Sequence, residues 1–317
     1  MAITAAMVKE LRESTGAGMM ECKKALTETN GDMDAAVEYL RKNGIMKAEK
    51  KASRIAAEGL TRVAVKDDQT AAVVEVNSET DFVAQNEKFQ AFVEAVATQA
   101  VNSDAADLDA FMAEKWNLDE SKTVNEALIE ITAVISEKLS IRRFEKVVAS
   151  NGVVVPYTHG GGRISVIVEA ETDVVNDDIK NAVKNVAMQV AALNPKFVSS
   201  EDISEEYRNH EKEILLAQAM KENEELPEGK RKPQEIIEKM LVGRLNKEFK
   251  EICLNEQVYV KAEDGKQTVS QYLAQVGKAN STNLKIKRFV RFETGEGIEK
   301  KNENFAEEVA KQAAGLN

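Results

Sequence analysis

Two histidines, His159 and His210, and two cysteines, Cys22 and Cys253, are the only imidazoles and thiols in a chain of 317 residues. No HExxH joins the histidines and no CxxC joins the cysteines, so the spacing supports neither a zinc site nor a disulfide framework. Three Gly-Lys pairs, at 229–230, 265–266 and 277–278, lack both the following Ser or Thr and the preceding glycine of a phosphate-binding loop. The chain is therefore expected to hold no nucleotide, metal or cofactor of its own. HGGGR, at 159–163, has the form of an esterase oxyanion loop, but no GxSxG supplies a nucleophile, and a glycine turn between strands accounts for it. A hydrolase reading would require a serine that reacts with a serine-directed probe. With 54 acidic residues, no pair of carboxylates stands out as general acid and base. What remains is contact chemistry: in NSETDFVAQNEKF, at 77–89, an acid and a large aromatic, Asp81 and Phe82, stand side by side where a strand-like run ends.

The elements that must carry these residues belong to a globular chain. Its length allows two or three domains and its 43% hydrophobic content can fill their cores. A net charge of -11 opposes generic binding to a phosphate backbone, so the expected partners are proteins, without direct nucleic-acid contact. The N-terminal MAITAAMVKELRE carries charge where a signal peptide would be apolar, and the longest uncharged run, 147–162, is broken by glycines and Pro156. A cytoplasmic protein without a membrane span is expected.

The first fifty residues read as three short helices. Thr4 caps one bearing Val8 and Leu11, Gly16-Ala17-Gly18 breaks it, and a second runs from about Met20 to Thr29. After the Asn30-Gly31 turn, Asp32 caps a third with Met33, Ala36, Val37 and Leu40 on one face until Gly44 stops it. IMKAEKKASRIAAEG then suits an exposed, basic linker helix. Beyond Gly59 the period becomes strand-like, and AAVVEV leads through Glu79-Thr80-Asp81 into a helix with Phe89, Phe92, Val93, Val96 and Ala100. RISVIVEA leads through the same tripeptide, 171–173, into a helix with Ile179, Val183, Val186, Ala187 and Val190. Two related subdomains are expected, with Val174 standing where the first copy has Phe82. Past Pro195, Ile203, Tyr207, His210, Ile214 and Ala217 mark a heptad seam that Ile237, Leu241, Leu245 and Ile252 answer from a second helix, an antiparallel hairpin projecting from the body. IKRFVRFE returns to strand, and a last helix is expected from about Asn304.

LRESTGAGMMECKKAL, TDFV, YTHGGGRISV and RFETGEGIEK, in this order, resemble the signature segments of bacterial elongation factor Ts, EF-Ts. The resemblance spans essentially the whole chain, with 105–125 and the hairpin turn longer than in some relatives. It implies an α+β protein: a three-helix module of ubiquitin-associated (UBA) type with its linker helix at 1–55, and one core subdomain at 56–145. The second core subdomain would comprise 146–199 and 253–293, a helical-hairpin dimerisation element 200–252, and a C-terminal helical module 294–317. The implied function is guanine-nucleotide exchange on the translational GTPase EF-Tu, bound as its GDP and nucleotide-free forms, by a factor that is not itself an enzyme. Thr80, Asp81, Phe82 and Val83 would displace magnesium from EF-Tu; Leu11, Met19, Met20 and His159 would contact it; the hairpin could pair two copies. The alternative is a UBA-like adaptor without exchange activity, which leaves the TDFV segment and the repeat unexplained.

Overall fold

Thr4 starts the first helix by accepting the amide of Met7 on its hydroxyl, and Gly16, in the left-handed region, closes it by donating to the Arg12 carbonyl. This helix α1 (Ala5–Thr15) packs with α2 (Met19–Glu28) and α3 (Met33–Lys51) around Val8, Leu11, Cys22, Ala25, Leu26 and Ala36. The computed structural model describes residues 3–299, so the helix expected from about Asn304 and most of the C-terminal module lie outside the described residues. One expectation is corrected: α3 does not stop at Gly44 but runs on to Lys51, and the separate linker helix is its last two turns. Gly44 is a helical residue facing a neighbouring helix, with room for a methyl group in ordinary contact. A methyl group there would lie 3.5 Å from the Ala133 Cβ and 3.9 Å from the Ile129 Cγ2 of a neighbouring helix.

Four layers make the core. In the first half, β1 (Glu58–Asp67) and β2 (Thr70–Ser78) lead through the one-turn α4 (Asp81–Ala84) to α5 (Glu87–Asn102). Then come α6 (Leu108–Ala113), the small ribbon β3 (Lys115–Trp116) and β4 (Asp119–Thr123), α7 (Val124–Ile135) and β5 (Ser140–Val148). The second half has β6 (Val153–His159), β7 (Ile164–Glu171) and α8 (Asp177–Leu193), then α9 (Glu205–Glu224), α10 (Gln234–Ile252), α11 (Val269–Ala279) and β8 (Lys285–Glu293). Each half forms an antiparallel three-stranded sheet, ordered β1-β2-β5 and β6-β7-β8. Strand alternation divides the buried residues between two layers. Ala72, Val74 and Val76 of β2 meet Phe89, Val93 and Val96 of α5, while Ala71 and Val73 turn to the other sheet and meet Ile167, Val290 and Phe292. Val166 and Val168 of β7 face α8 in the same way.

The two halves are built alike in detail. Glu75 of β2 lies opposite Arg143 of β5, and Glu169 of β7 lies opposite Arg288 of β8; the register shifts directly after each glutamate. Glu75 and Glu169 stand 94 positions apart, as do Ser78 and Thr172, whose hydroxyls each donate to a carbonyl two residues on. The helix caps Asn86 and Asn176 stand only 90 apart, as do Phe89 and Ile179. The repeated Glu-Thr-Asp, 92 apart, matches neither offset, which corrects the sequence alignment. Val174 occupies the place of Thr80, and the first half holds four extra residues, the length of α4. Phe82 has no counterpart in the second half.

Helices α9 and α10 run antiparallel: Arg208 stacks 5.0 Å over the Phe249 ring near the base, Glu222 meets Arg244 further out, and Asn223 bonds the Lys232 backbone near the turn. On α10, Ile237 and Leu241 are buried at the expected positions. On α9 the seam departs from the expected one: His210, Ile214 and Ala217 are exposed, and Arg208, Glu211, Leu215 and Ala219, at steps of 3, 4 and 4, are half-buried. The stacking of Arg208 on Phe249 and the packing of Ile203 and Tyr207 beside Phe197 at the base accompany the observed one. No described helix is long and apolar enough to cross a membrane.

Candidate functional site

Where β2 ends, two backbone amides and one hydroxyl converge on a single carboxylate. Glu137 accepts the Glu79 and Thr80 amides on one oxygen, at 3.1 and 3.0 Å, and the Thr80 hydroxyl on the other at 2.7 Å. Thr80 stands at the N-cap of α4, but its hydroxyl is committed to Glu137 and does not cap the helix. The single turn is closed by Gln85 donating to the Phe82 carbonyl and Asn86 to that of Val83, and the Gln90 side chain donates to the Ala84 carbonyl. Val83 and Ala84 are buried against the core, so the other face of the turn is forced outward. It carries Asp81 and Phe82, and Phe82 is 83% exposed. An isolated exposed aliphatic needs no explanation, but a large aromatic held outward by a fixed turn does.

Of the expected magnesium-displacing set, then, the structure brings Thr80, Asp81, Phe82 and Val83 onto one turn and divides them by burial. Val83 anchors, Thr80 is tied down, and Asp81 and Phe82 face solvent. Among the described residues no hydrogen bond accepted by the Asp81 carboxylate holds the loop; those accepted by Glu137 do. In the N-terminal module Met19 and Met20 open α2 and are 58% and 75% exposed. Leu11, unlike the methionines, is fully buried among Cys22, Ala25 and Leu26, because α1 has to turn its only apolar stripe into the module. His159 is exposed at the end of β6, with its Nδ1 3.0 Å from the Tyr157 hydroxyl.

The HGGGR segment is the turn between β6 and β7, and Gly160, Gly161 and Gly162 all have positive φ. Gly162 lies against β1, where a Cβ would meet Leu60 and the Thr61 carbonyl at 3.0 Å. Its carbonyl accepts the Thr61 amide and hydroxyl, at 2.7 and 2.8 Å, and the Thr294 hydroxyl. Gly295 next door donates to Glu75 at 2.8 Å. These bonds draw the glycine turn and the Thr294-Gly295 segment to one end of the sandwich, where β1 begins and β2 ends. Burial pushes the Glu75 carboxyl up, but the Gly295 amide, the Asn77 side chain and Arg143 outweigh it and hold the group below its ordinary value. Arg142 adds a further ion pair at 3.1 Å.

Cys253 is buried and its thiol is pushed up to about 11 by that burial and by nearby Glu256. Among the described residues no group of three His, Cys, Asp or Glu is arranged to hold a metal ion. A cleft of about 480 Å³ is lined jointly by the N-terminal module and the α7 region, with Thr15, Leu40, Lys47, Lys122 and Ile129 in its walls. Lys47 pairs there with Glu21, and Lys122 with Glu130 and Asp119.

Sequence reasoning did not find Glu137 or the helix before it. The available signal was the capping box at the start of α7, in which Thr123 and Glu126 bond each other's backbone amides.

The model of the family described as Elongation factor TS matches residues 79–296, a span that opens on the loop just described and closes beside Gly295. The elongation factor Ts of Clostridioides difficile (strain 630) is 53% identical over 311 residues, covering 98% of each chain. That of Clostridium botulinum (strain Eklund 17B / Type B) is 48% identical over 311 residues, covering 98% of this chain and 99% of the relative. That of Clostridium perfringens (strain SM101 / Type A) is 49% identical over 310 residues, covering 98% of each. The chain belongs to the elongation factor Ts family.

Proposed function

We propose that this protein is the guanine-nucleotide exchange factor of the translational GTPase EF-Tu, and that Phe82 is the group it inserts into its partner. The observation that carries this reading is the outward phenyl on a turn anchored by Val83 and Glu137, in a place where the matching half of the core has nothing. Burying that ring between helices of a partner gains about 1.5 to 3 kcal/mol, available only if those helices move apart. Displaced helices spoil the coordination of the magnesium that neutralises the GDP phosphates, and the nucleotide leaves. Asp81, free to face the partner, makes a polar contact beside the ring. No covalent step is involved. Linkage requires that if the factor weakens GDP binding, GDP weakens factor binding equally.

Supporting contacts come from Met19 and Met20, whose polarizable side chains suit an adaptable surface, and from exposed His159. Leu11 acts from within, by shaping the module that presents the methionines. The exposed Ile214 and Val242 on the hairpin offer an apolar face to a second copy. An adaptor without exchange activity would leave Phe82 unused. The test is release of fluorescent GDP from EF-Tu: at saturating factor, Phe82→Ala should slow release about 10- to 100-fold, the rate equivalent of the lost burial, while remaining folded. A folded variant exchanging at the wild-type rate removes the reading.

A further inference from the structure

The carboxylate that binds the base of the loop belongs to a turn with a second attachment. Glu137 follows Ser136, which ends α7 in the left-handed region, and is followed by Lys138 at the approach to β5. While Glu137 accepts three bonds from Glu79 and Thr80, the Lys138 amide donates to the Glu79 carboxylate at 2.5 Å. The Lys138 ammonium donates to the carbonyls of Ala52 and Arg54, both at 2.7 Å, on the segment that leaves α3. Arg54 closes the circuit by reaching the same Glu79 carboxylate at 3.2 Å. One two-residue turn therefore grips both the chain that leads to Phe82 and the chain that leads back to the N-terminal module.

We infer that Glu137 is a positioning residue for exchange, fixing the loop in the outward conformation before the partner arrives, and that Lys138 registers the N-terminal module on the same point. This rests on the reading of Phe82 given above. A short loop that leaves a sheet edge would sample many directions if it were free, and ordering it would be drawn from the energy of insertion. Two adjacent amides aimed at one charged acceptor remove that freedom in advance, since bonds to a carboxylate are the stronger kind. Glu137 is half-buried, and its three hydrogen bonds go to Glu79 and Thr80 rather than to Asp81 or Phe82. Its loss should therefore lower the rate of the bound complex without weakening the encounter.

The experiment titrates each variant against EF-Tu loaded with fluorescent GDP and separates the maximal rate from the half-saturating concentration. Glu137→Ala should lower the maximal rate about tenfold, with the half-saturating concentration within twofold of wild type. Glu137→Gln, which keeps an acceptor for both amides and can donate to the Thr80 hydroxyl, should restore most of it. If Glu137→Ala does not fold, Thr80→Val carries the test, because it removes the 2.7 Å bond alone and should lower the maximal rate about threefold. A folded Glu137→Ala at the wild-type maximal rate, or a loss that Gln does not rescue, overturns the assignment while a slow Phe82→Ala leaves the parent reading standing. Wild-type exchange by Phe82→Ala overturns both.

Discussion

The two halves of the core use the same parts: a central strand with a buried glutamate, an arginine opposite it, a shift in register, and a helix capped by asparagine. They part company between strand and helix. The second half crosses from Thr172 to Asn176 directly, whereas the first inserts the turn Asp81–Ala84 and takes up a carboxylate from elsewhere to hold it. A connection that one half dispenses with is not needed to join the strand to the helix in the other. The inserted turn is thus freed for contact, and its outward aromatic is the part of the first half least accounted for by folding.

Removing residues 81–84 should make the first half resemble the second, and this is the harshest test of the comparison. We expect cooperative thermal unfolding to persist at a lower midpoint, since Val83 and Ala84 leave the core, while exchange falls by about 100-fold or more, exceeding the loss of one ring. A variant that has lost cooperative unfolding would show that the turn belongs to the fold and that the two halves are not equivalent there.

The matching glutamates give a second, smaller contrast. Glu75 is fully buried under Arg142 and Arg143, and Glu75→Gln leaves those cations without their shared partner, at a cost of about 2–4 kcal/mol at neutral pH. Its folded pKa lies below the ordinary carboxylate value of 4.5, so its stabilisation is complete above that pH and fades as pH falls through the folded value. Acid titration of the melting temperature should therefore show the variant losing less than wild type below about pH 4.5, and parallel curves would exclude Glu75 as the source of that sensitivity.

The halves also differ in what they insert between helix and final strand. The first inserts α6, the small ribbon and α7; the second inserts the hairpin and α11. Helix α7 packs on α3, α5 and α6, whereas the hairpin's apolar packing on the body gathers at its base, around Phe197, Ile203, Tyr207, Phe249 and Ile252. Replacing residues 209–247 with a short glycine linker should shift the melting temperature by no more than about 2 °C, the equivalent of roughly 1 kcal/mol in a chain of this size. A shift above 10 °C would mean that the outer hairpin supports the core.

What the sequence disclosed follows from this division. Helices α5 and α8 each bury one face against a sheet, and their apolar residues recur at helical spacing where they were expected. Helix α7 meets neighbours on more than one side, so VNEALIEITAVI has no clean polar face and only its capping box marked it. Helix α11 was overlooked despite a similar box, Thr268 with Gln271. At the site, Phe82 was legible as an aromatic out of place, but Glu137 was not, because its bonds to the loop span 57 residues and leave no local pattern. The burial of Leu11 was not legible, since all three helices of a small module must turn a stripe inward, and spacing alone does not tell that stripe from a contact face.

The contact at Gly44 makes a lever of α3. With a rise of about 1.5 Å per residue, the arm from Gly44 to Met33 is roughly 16 Å long and the arm to Lys51 roughly 10 Å. A tilt of about 10° about this fulcrum would carry the outer end roughly 3 Å and the inner end a little under 2 Å the opposite way, by the same rise per residue. A Cβ at position 44 would sit 3.5 Å from the Ala133 Cβ, an ordinary contact, so alanine keeps the pivot in place, whereas a long side chain would push the arm away from Ala133 and alter the travel at both ends.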